Sequence, residues 1–371
     1  VTSVERGARR KVLSITVEAA QEQDYEEFGK ENVSKMDAVS VKAALLKSGM
    51  FAFIKQRPYD IVADPTVAPR AIFVSAFDTN PLAPDFELAL KGEEANFQTG
   101  LDALAKIAKT YLSISVNQKA VALTQAKNVT LTVFDGPHPA GNVGVQINNI
   151  APINKGETVW TIDPQAVIFI GRLFNTGHVD LTRLVAVTGS EVKKPSYCKL
   201  KVGALLTNVF AGNVSTDKNL RYISGNVLIG KQITANGFLG AFHSQVTVIP
   251  EGDDVHEMLG WIMPRFDQFS TSHSYFSWLM GKKEYTLDAR VKGGERHMIM
   301  SNEYDRVLPM DIMPEYLIKA IIAGDIDRME ALGIYEVAPE DFALCEFVCS
   351  SKMELQRIVR EGLDMLRREM C

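Results

Sequence analysis

The stretch "RAIFVSAF", Arg70 to Phe77, decides the fold class of this chain. Its apolar residues follow one another without the alternation of a half-exposed strand, which is typical of a parallel strand buried on both faces of its sheet. Nearby, "DAVSVKAALLKSG" (37–49) and "NFQTGLDALAKIAKTYL" (96–112) have helical spacing, whereas "VTLTVF" (129–134) is strand-like. Helices alternating with strands predict an α/β domain at residues 31–189, built around a largely parallel sheet.

Signals for the starts and ends of helices support this prediction. Asp163 is placed to cap a helix that has Pro164 in its first turn and stops at Gly177. Asp37 and Gly49 bracket the first helix of the domain in the same way.

The sequence pattern changes after this domain. Residues 190–250 hold strand-like runs separated by glycine turns, which predicts a small β-grasp-like module. Residues 251–308 are irregular, and residues 309–371 predict a helical C-terminal domain. The last helix carries one apolar stripe of Leu355, Ile358, Val359, Gly362 and Leu366.

The beginning of the chain predicts two strands joined at Gly7. A lone hairpin is only marginally stable. We therefore expect residues 1–30 to be the remnant of a small β domain that the chain enters part-way.

Composition excludes several classes of function. The 371 residues carry a net charge of −5, whereas a nucleic-acid binder needs clustered excess Lys and Arg. No apolar run approaches the roughly 20 residues of a membrane span. Four cysteines are too few for a disulfide framework.

The stretch "FDGPHPAGNVG", Phe134 to Gly144, could form a phosphate-binding loop, a catalytic turn around His138 or only a rigid corner. Its two prolines remove N–H donors, and its glycines do not have the G-x-G-x-x-G spacing of a dinucleotide loop. His138 has only Asp135, on the same turn, as a neighbouring acid. We predict a rigid corner and no catalytic residue.

Cys345 and Cys349, separated by three residues, match neither iron–sulfur nor zinc spacing. We predict buried structural cysteines and no metal site.

Two segments offer polar and aromatic groups to a ligand. In "GMFAFIKQRPYDIV" (49–62), aromatic residues flank Lys55 and Arg57, a combination that suits a planar ring bearing carbonyls such as a quinone. A helix-to-strand connection with its aromatics in the core explains the same residues, and the residues alone favour it. "FDTNPLAPD" (77–85) follows the buried strand, where α/β folds form their ligand crevice, but a proline-fixed turn explains it equally.

Taken in order, several segments resemble the NqrA family, the A subunits of the bacterial Na+-translocating NADH:quinone oxidoreductases, and the resemblance covers essentially the whole chain. These segments are "VERGARR", "SGMFAFIKQRPYD", "RAIFVSAFDTNPLAPD", "GLDAL", "VFDGPHPAGNVG", "YISGNVLIG", "NEYDRVLPMDIMPEYLIKAIIAGD" and "LGIYEVAPEDFALCEFVC".

The resemblance implies an N-terminal lipoyl-like barrel-sandwich domain, of which residues 1–30 are the remnant. It also implies a Rossmann-like α/β domain, a β-grasp domain of the soluble-ligand-binding (SLBB) type and a helical end. It implies a peripheral location on the cytoplasmic side of the inner membrane, with the B to F subunits as partners and the membrane-embedded B subunit foremost. The implied complex is an enzyme that oxidises NADH, reduces ubiquinone and exports Na+. Its flavins and iron–sulfur cluster lie in other subunits, so this chain binds no redox cofactor and serves assembly and a quinone site.

The alternative is a chain that binds flavin or NADH, like the C subunit of the Rnf complex or the flavin subunit of complex I. Those relatives carry a glycine-rich G-x-G-G-A-G-F-P loop where this chain has "MFAFIKQRPYD", which speaks against the alternative. Within the resembled family this segment is a candidate for quinone contact. We expect Phe53 and Tyr59 to contact the ring, Arg57 to donate to a quinone oxygen, and Pro58 to belong to the same site.

Overall fold

The computed structural model describes residues 1–20, 22–253, 259 and 262–370, and the strands of those residues form three sheets. The strands are β1 Ser3–Arg6, β2 Val12–Thr16, β3 Ile54–Arg57, β4 Ile61–Val62, β5 Ile72–Ser75, β6 Thr110–Ser115, β7 Thr130–Phe134, β8 Val159–Ile162, β9 Thr182–Thr188, β10 Ser196–Lys201, β11 Leu220–Ser224, β12 Lys231–Ile233 and β13 Gln245–Pro250. The helices are α1 Ala38–Lys47, α2 Phe86–Leu90, α3 Glu94–Ile107, α4 Val121–Thr124, α5 Val143–Ile150, α6 Pro164–Thr176, α7 Thr207–Phe210, α8 Pro314–Ala323, α9 Ile326–Ala331, α10 Ala343–Val348 and α11 Leu355–Met370.

The strand β5 lies inside a six-stranded sheet of order β4-β3-β8-β5-β6-β7. It pairs in parallel with β6 and β8, as its apolar run predicts. Ile72 and Val74 point into one core, and Ala71 and Phe73 point into another. Side chains alternate between the faces of a strand, so an uninterrupted apolar run fills two cores at once.

One face of the six-stranded sheet is covered by α1, α3 and α6. The predicted ends of α6 are confirmed: the Asp163 carboxylate accepts from the Gln165 N–H, and Gly177 has φ 80°. Helices α3 and α6 approach closely because Gly100 and Gly171 leave no side chain between their backbones.

The other face is covered by α5 and the C-terminal helices. Phe73 and Val159 of the sheet share a core with Leu317 of α8 and Leu363 of α11. The predicted C-terminal helices are present, and the apolar stripe of α11 is buried. These helices do not form the separate domain expected for residues 309–371. They pack against the second face of the six-stranded sheet and bury its apolar residues.

A mixed five-stranded sheet of order β10-β9-β13-β11-β12 forms the next layer. Its strand β9, Thr182–Thr188, pairs antiparallel with β10 and parallel with β13. The predicted domain boundary at residue 189 lies after β9, but β9 belongs to the five-stranded sheet. Its Val185 and Val187 pack in the core of that sheet.

The remaining segments are less regular. β1 and β2 pair with each other as an exposed antiparallel ribbon, as the N-terminal sequence predicts. The barrel origin of residues 1–30 stays a prediction. The described part of residues 251–308 contains one 3-10 turn, Phe276–Met280. Residues 254–258, 260 and 261 of that region lie outside the described residues.

Candidate functional site: a cleft at the carboxyl ends of the parallel strands

A cleft of about 430 Å³ opens beyond the carboxyl ends of β5 and β8. Open α/β sheets place their ligand crevice at this edge, where side chains of several loops converge. The volume lies within the range of small-molecule sites. Three parts of the chain line it: the six-stranded sheet with its loops, the five-stranded sheet, and the C-terminal region.

The sheet supplies the floor of the cleft. Ser75 ends β5, and Asp163 follows β8 at the start of α6. Phe53 directly precedes β3, and Lys55 is the second residue of that strand. The loop before β13 supplies Phe242 and His243.

An aromatic pair and an ammonium group meet at the cleft. The ring centroids of Phe53 and Phe242 are 6.2 Å apart, with the planes at 70°. The Lys55 Nζ lies 5.0 Å from the centroid of the Phe242 ring and 3.4 Å from Asp60 Oδ1. The site therefore combines apolar ring surfaces with a hydrogen-bond donor.

The charges at the cleft are largely paired. Its lining holds four carboxylates and, in the described chain, one ammonium, that of Lys55; the carboxylates are Asp60, Asp78, Asp163 and Glu340. Burial raises the pKa of Glu340, with Arg57 opposing the rise and Asp341 and Asp60 adding to it. Three of the carboxylates have a cationic partner: Asp60 lies beside Lys55, Asp163 beside Arg183 and Glu340 beside Arg57. The lining therefore offers little uncompensated charge, which suits a neutral ligand.

Arg57 lies behind the cleft in a buried ion-pair network. Its side chain is 1% exposed; Nη1 donates to Asp341 Oδ2 at 2.8 Å, and Nη2 donates to Glu340 Oε1 at 2.7 Å. Nη1 also donates to the Glu336 carbonyl at 3.2 Å. A Cβ on Gly144 would lie 2.5 Å from Arg57 Nη1 and closer still to Asp341 Oδ1. The glycine at the end of "FDGPHPAGNVG" therefore makes room for this network.

His243 is held neutral at the cleft. Burial, reinforced by Arg183, Lys55 and Lys231, lowers the pKa of His243 to about 4. Its Nδ1 lies 2.8 Å from Ser224 Oγ, which itself accepts from the Gly240 N–H.

The two proline-rich segments meet at the rim. Asp78 and Asn80 line the cleft, whereas Asp85 caps α2 through the Glu87 N–H. The Thr79 hydroxyl joins the segments, accepting from the Gly141 N–H at 2.9 Å and contacting His138 Nδ1 at 3.1 Å. The predicted corner forms the connection between β7 and α5.

The four residues predicted to bind quinone occupy different positions. Phe53 lines the cleft, but Arg57 and Pro58 are buried outside its lining. Tyr59 has φ 82° in the turn between β3 and β4 and packs against the core shared with the C-terminal helices. A donor role of Arg57 toward a quinone stays a prediction, and its two terminal nitrogens already have carboxylate partners.

Sequence reasoning did not single out Phe242, His243 and Glu340. They lie far from Phe53 along the chain, and only tertiary folding brings them together. Lys55 could have been singled out from the sequence. Strand alternation places it on the same face of β3 as Arg57, two residues closer to the end of the strand that borders the cleft.

Cys345 and Cys349 are buried as predicted. Cys349 Sγ lies 3.0 Å from the Tyr304 hydroxyl, and Cys345 Sγ contacts the Tyr304 carbonyl. No group of three or more His, Cys, Asp or Glu side chains that could hold a metal ion occurs among the described residues.

Comparisons with known proteins cover the whole chain. The family described as "NqrA second alpha/beta domain" matches residues 36–179, and the one described as "NQRA C-terminal domain" matches residues 184–235. The A subunit of the Na(+)-translocating NADH-quinone reductase of Neisseria meningitidis serogroup C is 36% identical over 373 residues, which cover all of this chain and 83% of that protein. This chain belongs to the NqrA family.

Other members of the NqrA family give the same result. The corresponding A subunit of Yersinia pestis bv. Antiqua is 35% identical over 374 residues, again with 83% of that protein covered. Among solved structures, an NAD+-reducing [NiFe]-hydrogenase is similar with a TM-score of 0.43 and 12% identity, covering 91% of this chain and 64% of that one.

Proposed function

We propose that this chain is a peripheral subunit of a Na+-translocating NADH-quinone reductase, on the cytoplasmic side of a bacterial inner membrane. Its relatives at 35–36% identity are named for that enzyme. The membrane-embedded B subunit is its foremost partner among the B to F subunits, and ubiquinone is the substrate of the complex. Within the described ranges, no helix is long and apolar enough to cross a membrane.

The finer fold assignment belongs to the same proposal. The six-stranded sheet with helices on both faces is the Rossmann-like domain, and the five-stranded mixed sheet is the β-grasp domain of the SLBB type. The segment corresponding to the relatives' glycine-rich loop is a strand here: β3 pairs with β4 on one edge and β8 on the other. Its N–H groups are committed to the sheet, which supports a chain that carries no flavin or nucleotide itself.

The same proposal places quinone contact at the cleft. The observation that carries it is the lining: apolar and aromatic walls around an edge whose charges are largely paired, with Lys55 as donor. A neutral quinone ring fits this chemistry, whereas a phosphate-bearing flavin or dinucleotide needs cations or free N–H groups. Phe53 contacts the ring, while Arg57, Pro58 and Tyr59 form the layer that holds β3 and the C-terminal region in place.

The chemistry that we assign to the chain is binding and orientation. Phe53 supplies apolar contact, and Lys55 can donate to a ring carbonyl. Arg57 fixes Glu340 at the cleft wall through the 2.7 Å ion pair. Electron transfer belongs to the other subunits.

The test is the purified complex with and without this chain. We expect the chain to co-purify with the complex, and NADH-dependent quinone reduction to fall at least tenfold in its absence. Reduction of an artificial electron acceptor by NADH should persist, because that step uses other subunits. A complex that lacks the chain and keeps the rate and the KM for quinone would overturn the proposal.

A further inference from the structure

The strand β7 forms an open edge of the six-stranded sheet. It is the last strand in the order of that sheet, and it pairs in parallel with β6. The Phe134 carbonyl accepts from the N–H of Val116, the residue that follows β6. Backbone groups of successive residues point to opposite sides of a strand, so Phe134 and Thr132 face β6. The N–H and C=O groups of Leu131 and Val133 therefore point away from the sheet, where another strand can pair with them.

The edges of the two larger sheets differ in their protection against strand addition. Natural proteins discourage such addition with very short edge strands or with lysines on the edge. The opposite edge of the six-stranded sheet, β4, has two residues, and β12 has three and begins with Lys231. The edge strand β10 carries Lys199 and Lys201. The strand β7 has five residues, TLTVF, and none of them is charged or a proline.

Apolar side chains at the β7 edge are uncovered. Leu131 and Val133 pair with Leu112 and Ile114 of β6, whose side chains lie in the core between the sheet and α1, α3 and α6. Paired residues of neighbouring strands share a face, so Leu131 and Val133 extend that apolar face beyond β6. They are 38% and 55% exposed, respectively. The edge therefore offers an added strand both hydrogen bonds and an apolar face.

We propose that β7 pairs antiparallel with β7 of a second copy of this chain, about a two-fold axis at Leu131. The charges that flank the strand favour a second copy as the partner. Lys127 precedes the strand, Asp135 follows it, and both are exposed. Antiparallel pairing brings Lys127 beside the partner's Asp135 and Asp135 beside the partner's Lys127. A contact of this symmetric kind closes as a dimer.

The register about Leu131 also matches the side chains of the two strands. Leu131 lies opposite the partner's Leu131, and Val133 lies opposite the partner's Val129. On the other face, Thr130 lies opposite the partner's Thr132. Pairs that involve β-branched residues, and threonine pairs in particular, are favourable across antiparallel strands. The inference goes beyond the proposed function and does not depend on it.

The test is the mass of the purified full chain in solution, measured by light scattering after size exclusion. The interface is small, so we expect the mass to rise toward that of two copies as the concentration approaches about 100 µM. Leu131→Lys places two like charges opposite each other on the axis and should weaken the dimer at least tenfold. Val39→Lys is the matched control, because Val39 is 72% exposed on α1, and it should dimerise like the unmodified chain.

A charge exchange tests the register. Lys127→Asp or Asp135→Lys alone brings like charges together at both ends of the paired strands. Each change acts twice per dimer, so we expect dimerisation to weaken about tenfold. The double variant restores the opposite charges and should dimerise like the unmodified chain. Equal thermal unfolding midpoints show that the variants fold.

Hydrogen–deuterium exchange provides a readout that is specific to the edge. The amides of Leu131 and Val133 should exchange more slowly as the concentration of the unmodified chain rises, because they donate to the partner strand. Their exchange in Leu131→Lys should not depend on concentration.

A chain that stays monomeric at about 100 µM overturns the proposal. So does a dimer that Leu131→Lys leaves intact, or exchange at β7 that is independent of concentration in the unmodified chain. A double charge variant as weak as the single ones overturns the register about Leu131. Protection of β7 that arises only in the assembled complex would assign the edge to another subunit and overturn the dimer. These outcomes leave the proposed subunit role intact, because that role fails on co-purification and dependence of activity on the chain.

Discussion

Gly144 shows how one residue can set the geometry behind a site. It lies in the first turn of α5 against the Arg57–Asp341 pair, where a methyl group would overlap both charged groups. In a helix interior, Ala is normally more stable than Gly by about 1 kcal/mol. Here the close approach reverses that preference.

We therefore predict that Gly144→Ala lowers the free energy of unfolding by about 3 kcal/mol, because it separates a buried ion pair. Chemical denaturation followed by circular dichroism measures the change. Gly294→Ala is the control, since a Cβ there meets no atom within 4 Å. A Gly144→Ala variant as stable as the control would show that the network does not depend on this glycine.

His243 gives a pH dependence with a defined sign. Its pKa is near 4 in the folded chain and about 6.5 when unfolded, so the unfolded chain binds more protons between these values. The contribution is fully present above about pH 6.5 and is lost as the pH falls toward 4.

Its size is up to about 3 kcal/mol, from about 1.4 kcal/mol per pKa unit. The measurement is the difference in free energy of unfolding between the unmodified chain and His243→Gln, from pH 7 to pH 4. We expect this difference to shift steadily in favour of the glutamine variant as the pH falls. A difference that stays constant with pH would contradict the assigned neutral state.

At the scale of elements, α6 ties the two main sheets together. Asp163 caps the helix and accepts from Arg183 Nη2 of β9 at 2.9 Å. Gln165 in the first turn exchanges two hydrogen bonds with the backbone of Leu184 in the same strand. A helix start thus fixes the angle at which the five-stranded sheet faces the cleft.

This arrangement predicts unequal losses at two aspartate caps. Asp163→Ala should destabilise the chain by about 3–5 kcal/mol, because it leaves the buried Arg183 guanidinium without its carboxylate. Asp37→Ala, which removes the exposed cap of α1, should cost only about 1 kcal/mol. The denaturant midpoints of the two variants measure their losses of stability. Equal losses of stability would contradict the role of α6 in linking the two sheets.

Elements also show how far sequence reasoning reaches. The burial of β5 on both faces, the caps of α1 and α6 and the apolar stripe of α11 follow from local pattern, so they were predictable. The membership of β9 in the five-stranded sheet depends on long-range pairing with β13, which its own residues do not encode. The packing of α8 to α11 against Phe73 needed the same kind of information.

The residues of the site also divide into those with a local sequence signal and those that depend on long-range packing. Phe53 and Lys55 lie on one short segment whose aromatic and cationic residues fit either a ligand site or a core connection. Phe242, His243 and Glu340 come from distant segments, and each alone is an ordinary aromatic, imidazole or acidic residue. Only the fold makes them neighbours.

At the scale of the whole molecule, polar contacts hold the five-stranded sheet over the cleft. Gln245 donates to the Pro81 carbonyl at 3.2 Å, and Gln356 of α11 donates to the Leu228 carbonyl at 3.0 Å. Together with Asp163–Arg183 they anchor the sheet to each of the other parts that line the cleft. The C-terminal helices thereby cover the six-stranded sheet and also steady the five-stranded one.

The most direct test of the account is photoaffinity labelling of the assembled complex with a photoreactive ubiquinone, followed by peptide mapping of this chain. The account predicts labels in residues 50–62 and around Phe242, both suppressed by excess unlabelled quinone. Labels confined to peptides outside these two segments would contradict the claim that the cleft binds quinone.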